Sequence, residues 1–313
     1  MSARKILVLG AGELGEAILS ALAVHPNVLD GATRLAVLLR PSSIASTEPT
    51  KSQLIESLRA KSVQFVPYDL ASASADSLSA TFASGQFDTI IGATGFAATQ
   101  GHSLQLKIAE AVVRSPCVRR YVPWQFGIEY DLIDARAGNG LFADQKDVRS
   151  FLRANENKVD WVIISTGIFM SFLFEEYWGV VTKGGRKVRA LGGWDTQVTV
   201  TTAQDIGTVT ARIVFDETIK NQVVYIAGDT ISYGRLAEVL GAEECDSSWT
   251  LEQLQQELDE NPDDSLAKYR RVFGEGVGTS WGLEKTYNFQ HGIPTTDIEA
   301  WVRENNSRFG KAA

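Results

Sequence analysis

The stretch ILVLGAGELGEAI, residues 6–18, sets three glycines between an apolar, β-branched run and a helix-forming one. Gly10, Gly12 and Gly15 make G-x-G-x-x-G directly after a predicted strand and directly before a predicted helix. The placement, more than the string, points to a βαβ unit that receives a phosphate group. Gly10 allows the tight turn, Gly12 lets a pyrophosphate approach the backbone, and Gly15 lets helix and strand pack closely. The phosphates then meet N–H groups at the helix N-terminus, where Glu13 and Leu14 complete the loop. The alternative is a set of glycines that serves helix–strand packing only.

The same strand–helix order continues along the chain. Strands are predicted at 6–9, 35–39, 63–66, 89–91, 120–122, 161–164 and 223–226, with helices near 14–23, 52–59, 75–82, 104–113 and 145–153. Such alternation implies parallel strands joined by crossover helices, an α/β doubly wound parallel sheet of the Rossmann type. The strands read as continuous apolar runs, as when helices cover both faces. From about Gly167 the pattern loosens into the aromatic-rich STGIFMSFLFEEYWGVV. Thr202 and Asp205 then have the spacing of a capping box opening a helix over 206–214, and further helices are predicted near 233–240 and 251–258. The expected organisation is a dinucleotide-binding domain over 1–166 with returning segments at about 198–228. A smaller C-terminal substrate lobe takes 167–197 and 229–313.

The second strand selects the cofactor. A site for NAD usually ends this strand in Asp or Glu for the ribose hydroxyls. Here AVLLRPSS ends in Arg40, with Ser42 and Ser43 beside it. A guanidinium can bind a 2′-phosphate bidentately. One or two charge-assisted hydrogen bonds, at roughly 1.5–3 kcal/mol each, amount to about ten- to several-hundred-fold preference. NADP is therefore the expected cofactor, the alternative being a solvated arginine in a surface loop. After the fourth strand, GATGF places Thr94, Gly95 and Phe96 at the C-terminal sheet edge, the ligand crevice of open α/β sheets. A plain turn is the alternative there, and Asp69 in VPYDL reads as a cap.

Several chemistries are excluded. None of the eight tyrosines stands four positions before a lysine, so the usual short-chain dehydrogenase device is absent. His25, His102 and His291 are widely scattered and form no metal-ligand spacing, so no metal is expected. There is no G-x-S-x-G elbow. A net charge of −8 argues against nucleic acid as a partner. No run approaches the ~20 apolar residues of a membrane span, and the N-terminal SARKILVLG is too short for a signal peptide. Cys117 and Cys245 are expected as buried free thiols in a reducing cytoplasm.

What remains is YVPWQFGIEYD at the end of the fifth strand, then GLFADQKDVRSFLR opening a helix. The glycine loop, LLRPSS, RRYVPWQFG, LFADQKDVR, STGIFMSFLF and VTVTTAQDIG together resemble the NmrA-like and isoflavone-reductase-like family of atypical short-chain dehydrogenases, fungal members especially. The resemblance extends from Lys5 to about Phe215. It implies NADPH-dependent reduction of a small aromatic or polyketide-like metabolite at a C=C, C=O or benzylic C–O bond. It also implies a lysine on the helix after the fifth strand as acid/base, and the match is Lys146. Relative to the plant F-x-x-K-x-x-[IV]-R spacing, Lys146 sits one place nearer Val148 and Arg149, with Gln145 at the expected position. One residue turns a helix by about 100°. The plant PSEFG is replaced by Pro123, Trp124, Gln125, Phe126 and Gly127, losing a serine and a carboxylate. Within that stretch Gln125 is set on the cofactor side and Trp124 on the substrate side.

Two readings of Lys146 stand at this point, an acid/base or a partner of Asp147 or Asp144 on a solvated helix face. Phe169, Phe172 and Tyr177, with Phe174 and Trp178, wall an aromatic substrate or else are core. Arg119 and Arg120 are expected to face solvent. The rival function is a dinucleotide-binding redox sensor without turnover, which the resemblance also implies.

Overall fold

In the computed structural model, which describes residues 4–95, 103–245, 248–305 and 307, the chain divides into two compact units. The first runs to Gln125 and adds Asp147–Ile164 and Ile206–Val223. The second holds Phe126–Lys146, Ser165–Asp205 and the chain from Val224. Phe96 and His102 lie outside the described residues.

Strands β1 (Arg4–Leu9), β2 (Thr33–Leu39), β3 (Gln64–Pro67), β4 (Thr89–Gly92), β5 (Arg120–Val122) and β6 (Asp160–Ser165) are followed by β7 (Ile168–Phe169), β8 (Val181–Thr182), β9 (Lys187–Val188), β10 (Gln197–Thr201), β11 (Gln222–Tyr225) and β12 (Asp229–Ser232). Seven of them form one sheet in the order β11-β6-β5-β4-β1-β2-β3. β1 pairs in parallel with both β2 and β4, Leu9 standing opposite Leu38 on one side and Gly92 on the other. The order reverses between β1 and β4, which is the switch point of a doubly wound sheet. Successive side chains of a strand point to opposite faces, yet Ile6, Leu7, Val8 and Leu9 are all fully buried. Both faces of β1 are covered, which is why its sequence shows no polar alternation.

Helices at Glu13–Ala23, Pro49–Ala60, Ala75–Gly85, Leu104–Arg114, Ala143–Ala154 and Ala203–Phe215 connect or follow these strands. Their starts are written in side chains. Ser74 and Ser77 form a capping box, and the Ser103 hydroxyl accepts from the Leu106 amide. Thr202 Oγ1 accepts from the Asp205 amide at 3.0 Å and donates to the Asp205 carboxylate at 2.7 Å. Asp69 accepts from the Ala71 amide at 3.0 Å, the capping role.

Two expectations are corrected. Arg119 is exposed, but Arg120 is 6% exposed and its Nη2 donates to the carbonyls of Ile213, Asp216 and Ile219 at 2.8, 3.0 and 2.8 Å. The helix Ala203–Phe215 ends there, and a cation satisfies carbonyls that lack intrahelical donors. The thiols are both free but not buried, Cys117 being half-buried and Cys245 exposed.

The second unit has its own sheet, β12-β10-β7, with β10 antiparallel to β12 and parallel to β7, and a β8–β9 pair. Its core gathers Trp178, Tyr233, Leu191, Phe273 and Trp301. Helices Tyr233–Leu240 and Leu251–Glu260 lie where the sequence predicts them, and Ser265–Glu275 and Ile298–Glu304 are additional. Among the described residues no helix is long and apolar enough to cross a membrane.

Candidate active site

The three glycines of the loop have three different reasons to be glycine. Gly10 has φ +103°, and a Cβ there would stand 2.8 Å from the Ala93 carbonyl oxygen. A Cβ on Gly15 would collide with the Gly10 carbonyl oxygen and stand 3.3 Å from Ala93 Cβ. Both are therefore demanded by packing at the adjoining ends of β1 and β4. Gly12 is not: its φ is −72°, and a Cβ there meets no atom of the described residues within 4 Å. It is the N-cap of the helix Glu13–Ala23 and makes no side-chain cap. The first-turn amides of a helix have no acceptor within it, so this end offers donors and positive dipole to an anion. A pyrophosphate needing close backbone approach fits that cradle.

Arg40 follows directly on β2, the neighbour of β1, and is exposed. It is the N-cap of a short turn Pro41–Ile44, with Pro41 at the first helical position and the Ser43 amide donating to the Arg40 carbonyl at 2.9 Å. Ser42 is exposed on the same turn. After β4, Thr94 and Gly95 are held from the side by a residue the sequence reading passed over: Gln105 Nε2 donates to Thr94 Oγ1 at 2.9 Å and to the Gly95 carbonyl at 3.4 Å. A glutamine in the first turn of the helix Leu104–Arg114 carries no signal of that role until the fold brings it there. Gly92 is tight as well, since a Cβ there would lie 2.7 Å from the Trp124 amide. Gln125 is 2% exposed, and its Oε1 accepts from Arg149 Nε at 2.7 Å. The glycine loop, Arg40, Thr94, Gly95, Trp124 and Gln125 thus all follow C-terminal strand ends of the first unit.

Lys146, Phe169, Phe172 and Tyr177 belong to the second unit. Lys146 is half-buried, and its Nζ donates to the Ile133 carbonyl oxygen. The amide of Arg136, with the Lys146 ammonium among the smaller causes, holds the Asp134 carboxyl below its ordinary value. Lys146 therefore reaches the 133–134 turn, which neither sequence-based alternative foresaw. Gln145, at the plant lysine's position, is 2% exposed.

One turn before Lys146 stands Phe142, whose carbonyl accepts from the Lys146 amide at 3.2 Å. From it an aromatic series runs through the unit. Phe142 stacks obliquely on Tyr130 at 4.8 Å and meets Tyr269 edge-on at 5.5 Å. Tyr269 leads at 6.4 Å to Phe172, which contacts Tyr177 at 5.7 Å and Trp178 at 5.2 Å. Trp178 and Phe174 are core, Phe169 and Phe172 are half-buried, and Tyr177 is 55% exposed. Burial, and then the adjacent Tyr130, pushes the Tyr269 phenol well above its ordinary range, so it remains a proton-bearing hydroxyl. Tyr130, Phe142 and Tyr269 were not singled out from sequence. Phe142 is legible in hindsight from its i, i+4 spacing to Lys146.

This fold and loop define an α/β protein with a dinucleotide-type crevice. The profile described as the NmrA-like family matches residues 2–291, and the chain belongs to that family. It is 43% identical over 307 residues to an NmrA-like family domain-containing oxidoreductase of Gibberella moniliformis, covering 96% of this chain and 98% of the relative. It is 29% identical to phenylcoumaran benzylic ether reductase 1 of Arabidopsis thaliana, over 72% of this chain and 69% of that one. The fold matches that of the binary complex of leucoanthocyanidin reductase with NADPH from Vitis vinifera with a TM-score of 0.77. That match covers 98% of this chain and 100% of the other at 16% identity.

Proposed function

We propose that this protein is an NADPH-dependent reductase of a small aromatic or polyketide-like metabolite, acting at a C=C, C=O or benzylic C–O bond. The observation that carries the cofactor half is Gly12, the glycine of the loop that no contact among the described residues requires. Its freedom from packing leaves approach of a pyrophosphate as its purpose. Arg40 after β2, in the position where NAD sites carry an acid, takes the 2′-phosphate. The relatives named above carry oxidoreductase and reductase names, in keeping with this reading.

NADPH, when bound, supplies the hydride. Lys146 supplies the proton to the substrate atom left negative by hydride addition, an oxygen for C=O reduction or benzylic C–O cleavage, and the Ile133 carbonyl, by accepting one Nζ–H, fixes the direction of the others. The Phe172 and Tyr177 rings, backed by Tyr269 and the buried Phe142, form a wall against which a flat substrate stacks and from which water is displaced.

A second reading, an NADP(H)-binding sensor without turnover, draws on the same bond. An ammonium committed to Ile133 can tie turn and helix together without moving a proton. The two readings part in one experiment: titration with NADPH and NADH, then NADPH consumption against phenylpropanoid and polyketide ketones and enones, for wild type and Lys146→Ala. Turnover lost in the variant while NADPH binding survives establishes the reductase. Tight binding with no consumption across the panel favours the sensor.

A further inference from the structure

The sheet of the first unit has a second charged end. At the N-terminal ends of β1, β4, β5 and β6, opposite the glycine loop, lies a broad pocket of about 1190 Å³. Six cations line it, Arg4, Lys5, Arg34, Arg119, Arg120 and Lys220, on a chain whose net charge is −8. Its three carboxylates are Asp88, Asp160 and Glu217. Asp88 is already committed. It sits 3.3 Å from Arg4 Nε and accepts from the Lys5 amide at 2.6 Å and the Thr89 hydroxyl at 2.7 Å. The positive charge of the pocket is therefore in excess and only partly answered from within.

Two features separate this pocket from a solvated basic surface. Arg120 is 6% exposed, its Nη2 is held by three carbonyls, and its Nε has no hydrogen-bond partner among the described residues. A buried charged donor left unmatched is costly. Burial first, and then the Arg4 charge, pulls Arg120 below its ordinary value against the opposing pull of Asp160, Asp216 and Glu217. On the rim, Arg34, Arg119 and Lys220 are exposed and make no ion pair among the described residues. Nucleic acid would need an extended basic stripe and would be repelled by the rest of the chain. A concave site of this size suits a small molecule.

We propose that this pocket binds a small multivalent oxyanion, with Arg34, Arg119 and Lys220 answering its charge above the buried Arg120 guanidinium. Guanidinium forks match phosphate and carboxylate oxygens, and several cations converging on one concavity favour multivalent over monovalent anions.

The test is calorimetric titration of the full chain with inorganic pyrophosphate, at constant ionic strength, comparing wild type, Arg119→Glu/Lys220→Glu and Gly12→Ala, the last of which weakens the glycine loop as a competing pyrophosphate site. Both reversed residues of the double variant are exposed, so the fold tolerates them. The expected result is a saturable site that weakens at least about tenfold in the double variant and persists in Gly12→Ala. Cys117, half-buried among the residues that line the pocket, reports location: in a Cys245→Ser background, pyrophosphate slows its modification by N-ethylmaleimide. Citrate in the same titration separates the sources, binding alongside pyrophosphate for any multivalent oxyanion and failing for a phosphate site. No saturable heat with either anion, or saturable heat indifferent to the double reversal, overturns the proposal.

Discussion

Arg149 Nε donates to Gln125 Oε1 at 2.7 Å with both side chains out of solvent, at 0% and 2% exposure. The bond ties the helix Ala143–Ala154 to the residues that follow β5. Hydrogen bonds from a charged donor contribute more than neutral ones, and removing the acceptor leaves the charge in place. Gln125→Leu is expected to lower unfolding free energy by about 1.5–3 kcal/mol, read from the urea midpoint at unchanged slope. An unmoved midpoint would show that this bond contributes no net stability.

The two glycines Gly10 and Gly12 are expected to behave oppositely. Gly10→Ala puts a Cβ 2.8 Å from a backbone oxygen at φ +103°, a conformation that costs an L-residue roughly 1–2 kcal/mol before the clash is counted. It should unfold earlier on heating. Gly12→Ala meets open space at φ −72° and should unfold like wild type while binding NADPH at least about tenfold more weakly, since the methyl stands in the path of the phosphates. Thermal melts and a fluorescence titration on both variants separate the effects. Equal NADPH affinity in Gly12→Ala would remove this loop from the cofactor site.

Most of the first unit was legible because its strands are short apolar runs ended by Gly, Pro or polar turns. The 6–9, 89–91 and 120–122 predictions fall inside or on β1, β4 and β5. The strands β7, β8 and β9 have two residues each, too few to show a period; β7 exists through a partner some thirty residues on, and β8 and β9 pair with each other in a short hairpin. Arg120 shows the same limit from the side of charge. Next to Arg119 it reads as one of a solvated pair, and only the arrival of the Ile213, Asp216 and Ile219 carbonyls decides that it is buried. The aim of Lys146 is hidden from the sequence for a related reason, since a one-residue shift on a helix is a change of face. Its partner, the Ile133 carbonyl, is backbone and has no sequence signature.

If Arg40 reads the 2′-phosphate, its reversal acts on one dinucleotide and spares the other. Arg40→Glu removes one or two charge-assisted bonds, so NADPH should bind about tenfold to several hundredfold more weakly while NADH changes little. Arg40 is exposed after β2, and the variant should keep its fold. Parallel titrations give the answer, and an equal loss for both cofactors would mean that Arg40 does not read the phosphate.

His25 gives the first unit a pH dependence of known sign. Its Nδ1 accepts from the Asn27 amide at 3.3 Å, and the ring stacks on Phe215 at 4.1 Å. Burial, then the Arg212 charge, lowers its pKa below the ordinary 6.5, against a smaller opposing pull from Asp30. A depressed histidine binds protons less readily folded than unfolded, so stability rises with pH through this window. Its contribution is complete above 6.5 and is lost as pH falls through the folded value. The slope of melting temperature against pH below 6.5 should be shallower in His25→Gln than in wild type. Identical slopes would assign the pH dependence to other groups.

Lys146 divides binding from chemistry. A residue that donates a proton during hydride transfer is worth about 10²–10⁴ in turnover and little in cofactor affinity. Lys146→Met keeps an aliphatic stem and deletes the ammonium that donates to the Ile133 carbonyl. With a substrate found in the panel, kcat should fall by about that factor while the NADPH dissociation constant stays within about twofold. A purely structural lysine would give the opposite pattern, an earlier melt with kcat preserved in the protein that remains folded. Lys146→Arg sharpens the contrast, because a guanidinium can keep the bond to Ile133 but surrenders a proton far less readily at neutral pH. Stability restored without turnover in that variant is the outcome expected of an acid/base.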